Sequence, residues 1–288
     1  MPGDLHCHTK LSNSSMGIDD LIVLANKRGV GTIAITDLDC QAGVVRAKII
    51  GERRGITVIP GVELSSFDPE IDSNVHILCY QSDSPDRLEG LCHRNVIARK
   101  KASQFITLKI AQRYPITAEL VMKCASGSTA VFKQHIMHSL MECGLTNEIY
   151  GELYHELFSP ESEKNVLVAA KYPSPAEVIA AVHEAGGVAV LAHPGRFTDS
   201  SGYAEQLISA GIDGFEVWHP DNTPEQTAAL AALAKKNGLL TTGGSDFKGM
   251  YTAGTISVGD YLTPDNCIKT INSYKTKMRK RAQQAQQN

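Results

Sequence analysis

No apolar run in the sequence approaches the roughly 18 residues that a membrane-spanning helix requires, so a transmembrane protein is not expected. The N-terminal stretch MPGDLHCHTK has no basic segment leading into an apolar one, so a secretory signal is not expected either. CxxC pairs are missing too: seven cysteines stand singly at 7, 40, 79, 92, 124, 143 and 267. An odd and scattered set reads as reduced thiols in a cytoplasm rather than as a disulfide framework. Excess charge is also lacking. A formal net charge of −3 argues against an overall electrostatic grip on long nucleic acid. Only the C-terminus is locally basic, at Lys275, Lys277, Arg279, Lys280 and Arg281, before a Gln-rich end. This reads as a solvated helix end that frays, with a nucleic-acid tail as the alternative.

What remains is ordinary soluble composition, 42% hydrophobic and 20% charged, in a length of 288 residues. That length suits one large domain or a core with a smaller insertion. Short β-branched runs alternate with amphipathic stretches, the pattern of βα units and a parallel-biased sheet or barrel. Strands are expected at 31–36, 56–60, 75–80, 188–192, 214–217 and 239–242, and helices at 19–27, 41–54, 175–185 and 224–236. Between about 84 and 172 the alternation stops. Helical patterns at 94–112, 117–124 and 134–143 suggest a helical insertion in a βα framework. The expected organisation is a first barrel part over 1–83, a helical cap over 84–172, and a second barrel part with the basic tail over 173–288.

Asp4-Leu5-His6-Cys7-His8 is the first segment with chemical content. Side chains alternate along a strand, so His6 and His8 share one face and can ligate one ion. Similar groups recur at other strand ends: Glu63 after Pro60-Gly61-Val62, His76 in Asn74-Val-His-Ile-Leu, His193 after Val188-Ala-Val-Leu-Ala, and Asp246 after Thr242-Gly-Gly-Ser. A lone histidine among apolar residues is usually a core residue. Six ligand-type residues at the same ends of a βα framework point instead to chemistry at the C-terminal strand ends. Mixed imidazole and carboxylate ligands suit Mn, Zn or Fe.

The segments DLHCHT, AITDLD, IPGVELS, VHILCY, AHPGR, GFEVWHP and GGSDFKG together resemble the PHP (polymerase and histidinol phosphatase) family, of the stand-alone bacterial phosphoesterase type. The resemblance covers about residues 3–82 and 172–260. It implies an α/β fold, a distorted βα barrel with its metal cluster at the C-terminal rim. It also implies up to nine ligands for as many as three ions. Six match, at His6, His8, Glu63, His76, His193 and Asp246. Three do not: Asn13, Leu38 and Lys248 stand where the family furnishes a third site. Leucine has no lone pair and the lysine ammonium is a donor only, so the third ion is expected to be absent. The resemblance implies two ions, one on His6, His8, Glu63 and Asp246, the other on the shared Glu63 with His76 and His193. The Lys248 ammonium is expected to supply positive charge where the third cation would sit, with a solvent-facing lysine as the alternative.

Asp37, at the retained first Asp of the family's TDHD motif, is the candidate for proton transfer; Asp39 is the weaker one. Either can instead orient a ligand histidine. Arg196 has a fork suited to phosphate oxygens, and the resemblance places it at the substrate phosphate. By analogy with the family, Lys133 and His135 face the cleft, and His219 borders it. The expected activity is hydrolysis of small phosphate mono- or diesters, such as nucleotide or sugar phosphates, cyclic diesters included. Alternatives are C–N hydrolysis of the amidohydrolase kind and a non-catalytic metal-binding role. The positive set of Arg196, Lys133 and Lys248 favours phosphate over an amide.

Overall fold

The computed structural model describes residues 1–271 and 273–276 of the chain. Seven strands form one sheet in sequence order: β1 (Gly3–Cys7), β2 (Thr32–Ile35), β3 (Thr57–Asp68), β4 (Ser73–Tyr80), β5 (Val188–Leu191), β6 (Gly214–Trp218) and β7 (Leu240–Gly243). The sheet curls until its ends nearly meet. His8 N–H donates to the Phe247 carbonyl at 2.9 Å, and a parallel bridge joins Cys7 to Phe247. Helices α1 (Ile18–Lys27) and α2 (Val44–Arg53) follow β1 and β2, and α7 (Pro175–Glu184), α8 (Ser200–Ser209) and α9 (Pro224–Asn237) intersperse with β5 to β7.

Local sequence explains these boundaries. Ser174 and Thr223 form capping boxes with Glu177 and Gln226, each with proline inside the first turn, and Gly238 closes α9 in the left-handed region. Each such cap contributes about 1 kcal/mol. The α8 helix, absent from the sequence expectation, is capped by Asp199 and buries Tyr203, Ala204 and Leu207. Leu5, Ala34, Ile59, Leu78, Tyr80, Val190 and Leu240 fill the barrel interior, where the Tyr80 hydroxyl donates to the Leu5 carbonyl at 2.8 Å.

The sheet is not wholly parallel. β3–β4 and β4–β5 are antiparallel, so β4 runs against the rest. His76 therefore sits inside its strand, fourth of eight residues from the start, not at the C-terminal end. Because β4 is reversed, that start lies beside the C-terminal end of β3, with His76 opposite Ser65. The β1 strand is also irregular, its register on β2 shifting between Asp4 and Cys7. Leu5 packs in the barrel interior and Cys7 against the α1 layer, and His8 lies one residue past the strand. Simple alternation is thus not what brings His6 and His8 together.

Between β4 and α7 lie α3 (Glu89–Ala111), α4 (Ala118–Cys124), α5 (Lys133–Glu142) and α6 (Glu152–Phe158). They enclose a core of their own that includes Ile106, Ile110, Ile136, Leu140, Leu157 and Phe158. Tyr251 of the barrel plugs into that core, its hydroxyl on His138 Nδ1 at 2.8 Å and its carbonyl accepting from the Tyr150 hydroxyl at 2.9 Å. No described helix is long and apolar enough to cross a membrane. Lys275, expected to be solvated, bonds the Gln81 carbonyl and pairs with Asp83 at 2.7 Å. The other basic positions, 277 and 279–281, lie outside the described residues.

At the barrel seam, Gly244 approaches His6 so closely that an added Cβ would lie 2.4 Å from the His6 backbone nitrogen. Backbone cannot yield as a flexible side chain can. Gly244→Ala is expected to destabilise the fold by about 2 kcal/mol, read as a lowered denaturation midpoint in urea. An unchanged midpoint would show that the seam is looser than this.

Candidate metal centre

Six side chains converge where the C-terminal ends of β1, β5 and β7 meet the middle of β3 and of β4, which carry Glu63 and His76. His6 Nε2 lies 3.6 Å from Glu63 Oε2 and 3.4 Å from Asp246 Oδ1, while His8 Nε2 lies 3.3 and 3.0 Å from the same two oxygens. Four atoms held tetrahedrally about 2.1 Å from one ion would be about 3.4 Å apart. On the other side, Glu63 Oε1 lies 2.8 Å from His76 Nδ1 and 3.1 Å from His193 Nε2, and these two nitrogens are 3.2 Å apart. Glu63 thus divides its two oxygens between two ligand groups. The buried nitrogens His6 Nε2, His8 Nε2 and His193 Nδ1 have no hydrogen-bond partner.

Tautomers can be assigned from the partners. A carboxylate only accepts, so His6 Nδ1, at 2.9 Å from Glu216 Oε1, carries the proton and leaves the Nε2 lone pair facing the cluster. Ser12 Oγ donates to Asp37 Oδ1 and lies 3.4 Å from His8 Nδ1, which frees His8 Nε2 in the same way. At His6 and His8 the donor set therefore fits a divalent cation, with lone pairs turned inward and protons turned outward.

Electrostatics agree. Burial alone would lower the His6 pKa, but Glu216, Asp246 and Glu63 raise it well above its ordinary value. Burial would raise the Glu63 pKa, yet His76 and His6 hold it well below the usual carboxylate range. For Asp246 burial is likewise outweighed, here by Lys248 and then His6. Left-handed backbone at Asp39, His193 and Asp246, with φ of 50°, 33° and 49°, borders the same cluster.

The cluster opens into a cleft of about 740 Å³ between the barrel and the inserted helices, lined by His76, His193, Arg196, Lys133, Lys248 and Tyr150 among others. A second cavity, of about 790 Å³, is lined largely by apolar side chains and the thiols of Cys40, Cys79 and Cys92. None of the six converging residues reaches it.

The three departures, Asn13, Leu38 and Lys248, all line the cleft. Leu38 packs on Ala130 and Phe132 from the insertion, so apolar contact fills its place. Lys248 does not face solvent. It is 9% exposed, its ammonium paired with Asp246 Oδ1 and 3.1 Å from the Asp246 carbonyl. Arg196 spans the cleft mouth, with Nε on Asp221 at 2.6 Å and Nη2 on Asp246 Oδ2 at 3.0 Å. Lys133 projects over the Phe158 ring at 5.4 Å, and burial lowers its pKa.

Three expected residues are not among those lining the cleft. Asp37 is buried behind His8, accepting from Thr9 N–H at 2.7 Å, Thr9 Oγ at 2.6 Å and Ser12 Oγ at 2.5 Å, and so holds the loop after β1. His135 accepts the Phe132 N–H on Nδ1 at 3.1 Å inside the insertion, and burial pushes its pKa down to about 4. His219 accepts the Asp221 N–H on Nδ1 at 3.0 Å, so its Nε2 bears the proton. That nitrogen lies 3.8 Å from Asp246 Oδ2 and 3.9 Å from Glu216 Oε2, and His219 forms with His6 and Glu216 another group of ligand-type atoms close enough to share an ion.

Glu216 went unread in the sequence. Its Oε1 takes the His6 proton and its Oε2 accepts the His193 N–H at 2.7 Å. A lone carboxylate inside the apolar strand Gly214–Trp218 was the available signal.

Comparison with known proteins follows this geometry. The PHP domain profile matches residues 4–185. The phosphoribosyl 1,2-cyclic phosphate 1,2-diphosphodiesterase of Eggerthella lenta is 34% identical over 254 residues, covering 86% of this chain and 94% of that protein. The 5′-3′ exoribonuclease Rnm of Escherichia coli is 30% identical over 251 residues, covering 85% and 84%. A solved structure from Bifidobacterium adolescentis, assigned as a metal-dependent phosphoesterase, superposes with a TM-score of 0.83 at 31% identity, covering 94% and 95%.

Proposed function

Because the chain belongs to the PHP domain family and is a metal-dependent phosphoesterase, we propose that it hydrolyses small phosphate esters at a centre for two divalent ions. Diesters, cyclic ones included, are favoured over monoesters. One group of ligands is His6, His8, Glu63 and Asp246; the other is Glu63, His76 and His193. The observation that carries this reading is the division of the two Glu63 oxygens between the groups. Divalent ions held there would supply Lewis acidity to phosphoryl oxygens and acidify a water toward neutrality. Mn, Zn and Fe all suit these ligand types.

The chain's own residues do the rest. Arg196 offers its fork to the phosphate, competing with Asp221 and Asp246. The Lys248 ammonium gives a fixed single charge where a third ion would give two. A smaller total positive charge favours a monoanionic diester over a dianionic monoester, and the Eggerthella lenta relative is named a cyclic-phosphate diphosphodiesterase. Lys133 approaches from the insertion, which we treat as a cap domain over 84–172, and Tyr150 and Tyr154 supply an aromatic wall. Asp37 acts through Ser12 on His8 rather than on the substrate.

The test is phosphate and alcohol release by the Mn-loaded chain from matched mono- and diesters. The expected result is turnover of small diesters, cyclic ones among them, exceeding that of the monoesters. Turnover confined to monoesters would overturn the diester preference. Hydrolysis of amides alone would overturn the phosphate reading.

A further inference from the structure

A buried polar network links the inserted helices to the ligand cluster, and it uses two residues with no part in the reading above. Asn95 and Arg99 stand one turn apart on α3, on its buried face. Arg99 Nη2 donates to Asp39 Oδ2 at 2.6 Å and to Ser65 Oγ at 2.7 Å. Asn95 Nδ2 donates to Asp39 Oδ1 and to the Ser65 carbonyl, both at 2.8 Å. Asp39 Oδ1 also accepts the Ser65 N–H at 3.0 Å, and the Asp39 N–H donates to the Glu63 carbonyl at 2.8 Å. Asp39 and Ser65 thus grip Glu63 from its carbonyl and from two residues ahead, and Ser65 is the cross-strand partner of His76.

The geometry separates two roles for Arg99. Its guanidinium lies under the Phe132 and Tyr172 rings, with its carbon 4.9 and 5.5 Å from their centroids. Nη2 is fully used, and Nη1 is sealed from solvent without a partner. Both Nη2 hydrogen bonds thus go to protein groups, although Arg99 also borders the cleft. What Arg99 supplies is the cation for the fully buried Asp39 carboxylate, which holds a left-handed backbone with φ of 50°. Without it, that charge is uncompensated and the loop has reason to relax.

We infer that Arg99 is a positioning residue: through Asp39 and Ser65 it fixes Glu63 between its two ligand groups and ties the insertion to the metal centre. This rests on the two-ion reading.

The test measures Mn affinity by equilibrium dialysis, together with kcat, KM and thermal midpoint, on the full chain. Wild type is compared with Arg99→Met, Arg99→Lys and Asp39→Asn/Arg99→Met. Arg99→Met is expected to weaken Mn binding by roughly 10- to 100-fold and to lower kcat with KM nearly unchanged. Arg99→Lys, which keeps the charge but loses the fork, is expected to fall between and carries the test if the methionine variant does not fold. The double variant is expected to recover about tenfold in Mn affinity over Arg99→Met, because the orphaned carboxylate is gone. Unchanged Mn affinity with a raised KM would overturn the inference in favour of substrate contact. A lowered midpoint alone would reduce Arg99 to a structural role. A wild-type chain that takes up no Mn overturns the two-ion reading and this inference with it; a wild type that binds two ions beside an unaffected Arg99→Met overturns only the inference.

Discussion

Glu63→Gln is expected to lower kcat/KM by roughly a thousandfold or more, about 4 kcal/mol of transition-state stabilisation. The substitution is nearly isosteric, so packing is conserved and chemistry changes. Glu63 Oε2 faces His6 and His8, and Oε1 faces His76 and His193. An amide offers one oxygen in place of two, and its NH2 has neither charge nor a lone pair to offer a cation shared with the facing imidazoles. Whichever way it rotates, one ligand group is broken and the other loses half a unit of shared charge. Mutations of Arg196 or Lys133 remove one contact each and are expected to cost less. The measurement is steady-state kinetics with Mn in excess, beside the thermal midpoint of the metal-free chain. Retention of activity within tenfold would show that Glu63 does not bridge the centre.

Lys248→Ala is expected to lower kcat by roughly 100-fold, in the range for losing one preorganised charge at a reacting phosphoryl group. Its Mn affinity is expected to hold or rise. The reason lies in the partner: the ammonium pairs with Asp246 Oδ1, one of the first group's ligand atoms, so its removal frees that oxygen. Loss of turnover without loss of metal separates charge supplied to substrate from support of the site. Lys248→Arg keeps the charge and is expected to retain more activity than alanine, short of wild type, because the planar fork does not reproduce a compact ammonium. A fully active Lys248→Ala chain would leave Lys248 without a part in turnover, its ammonium serving Asp246 alone. The surrounding residues argue against that, since Asn13 and Leu38 line the same cleft and Leu38 is packed under Phe132.

How much of this was legible depends on which physical signal each feature leaves in the chain. Short β-branched runs located the strands of the barrel, though β3 runs on to Asp68 past its expected end at 60 and so contains Glu63, and the expected bounds of α7 and α9 hold within a residue. Strand direction leaves no trace in hydrophobic periodicity, so the reversal of β4 was invisible, and with it the true setting of His76 inside an antiparallel strand. The six converging residues were legible because their types recur beside strand ends. Asp37, His135 and His219 carry the same ligand-type or titratable chemistry, but their orientation depends on single backbone N–H or hydroxyl partners, which a sequence does not display. Arg99 shows the opposite case. It stands in a basic run and reads as solvated, yet Leu91, Cys92, Asn95, Arg99, Ala102, Ser103, Ile106 and Ile110 recur at three- and four-residue steps along the buried face of α3. A charged residue within such a stripe was a signal open to reading.

Metal content after loading with Mn and exhaustive dialysis tests the two-ion centre most directly. Close to two equivalents per wild-type chain, falling to one or fewer in Glu63→Gln, is the expected result. Three equivalents in the wild type, or two retained in Glu63→Gln, would contradict it.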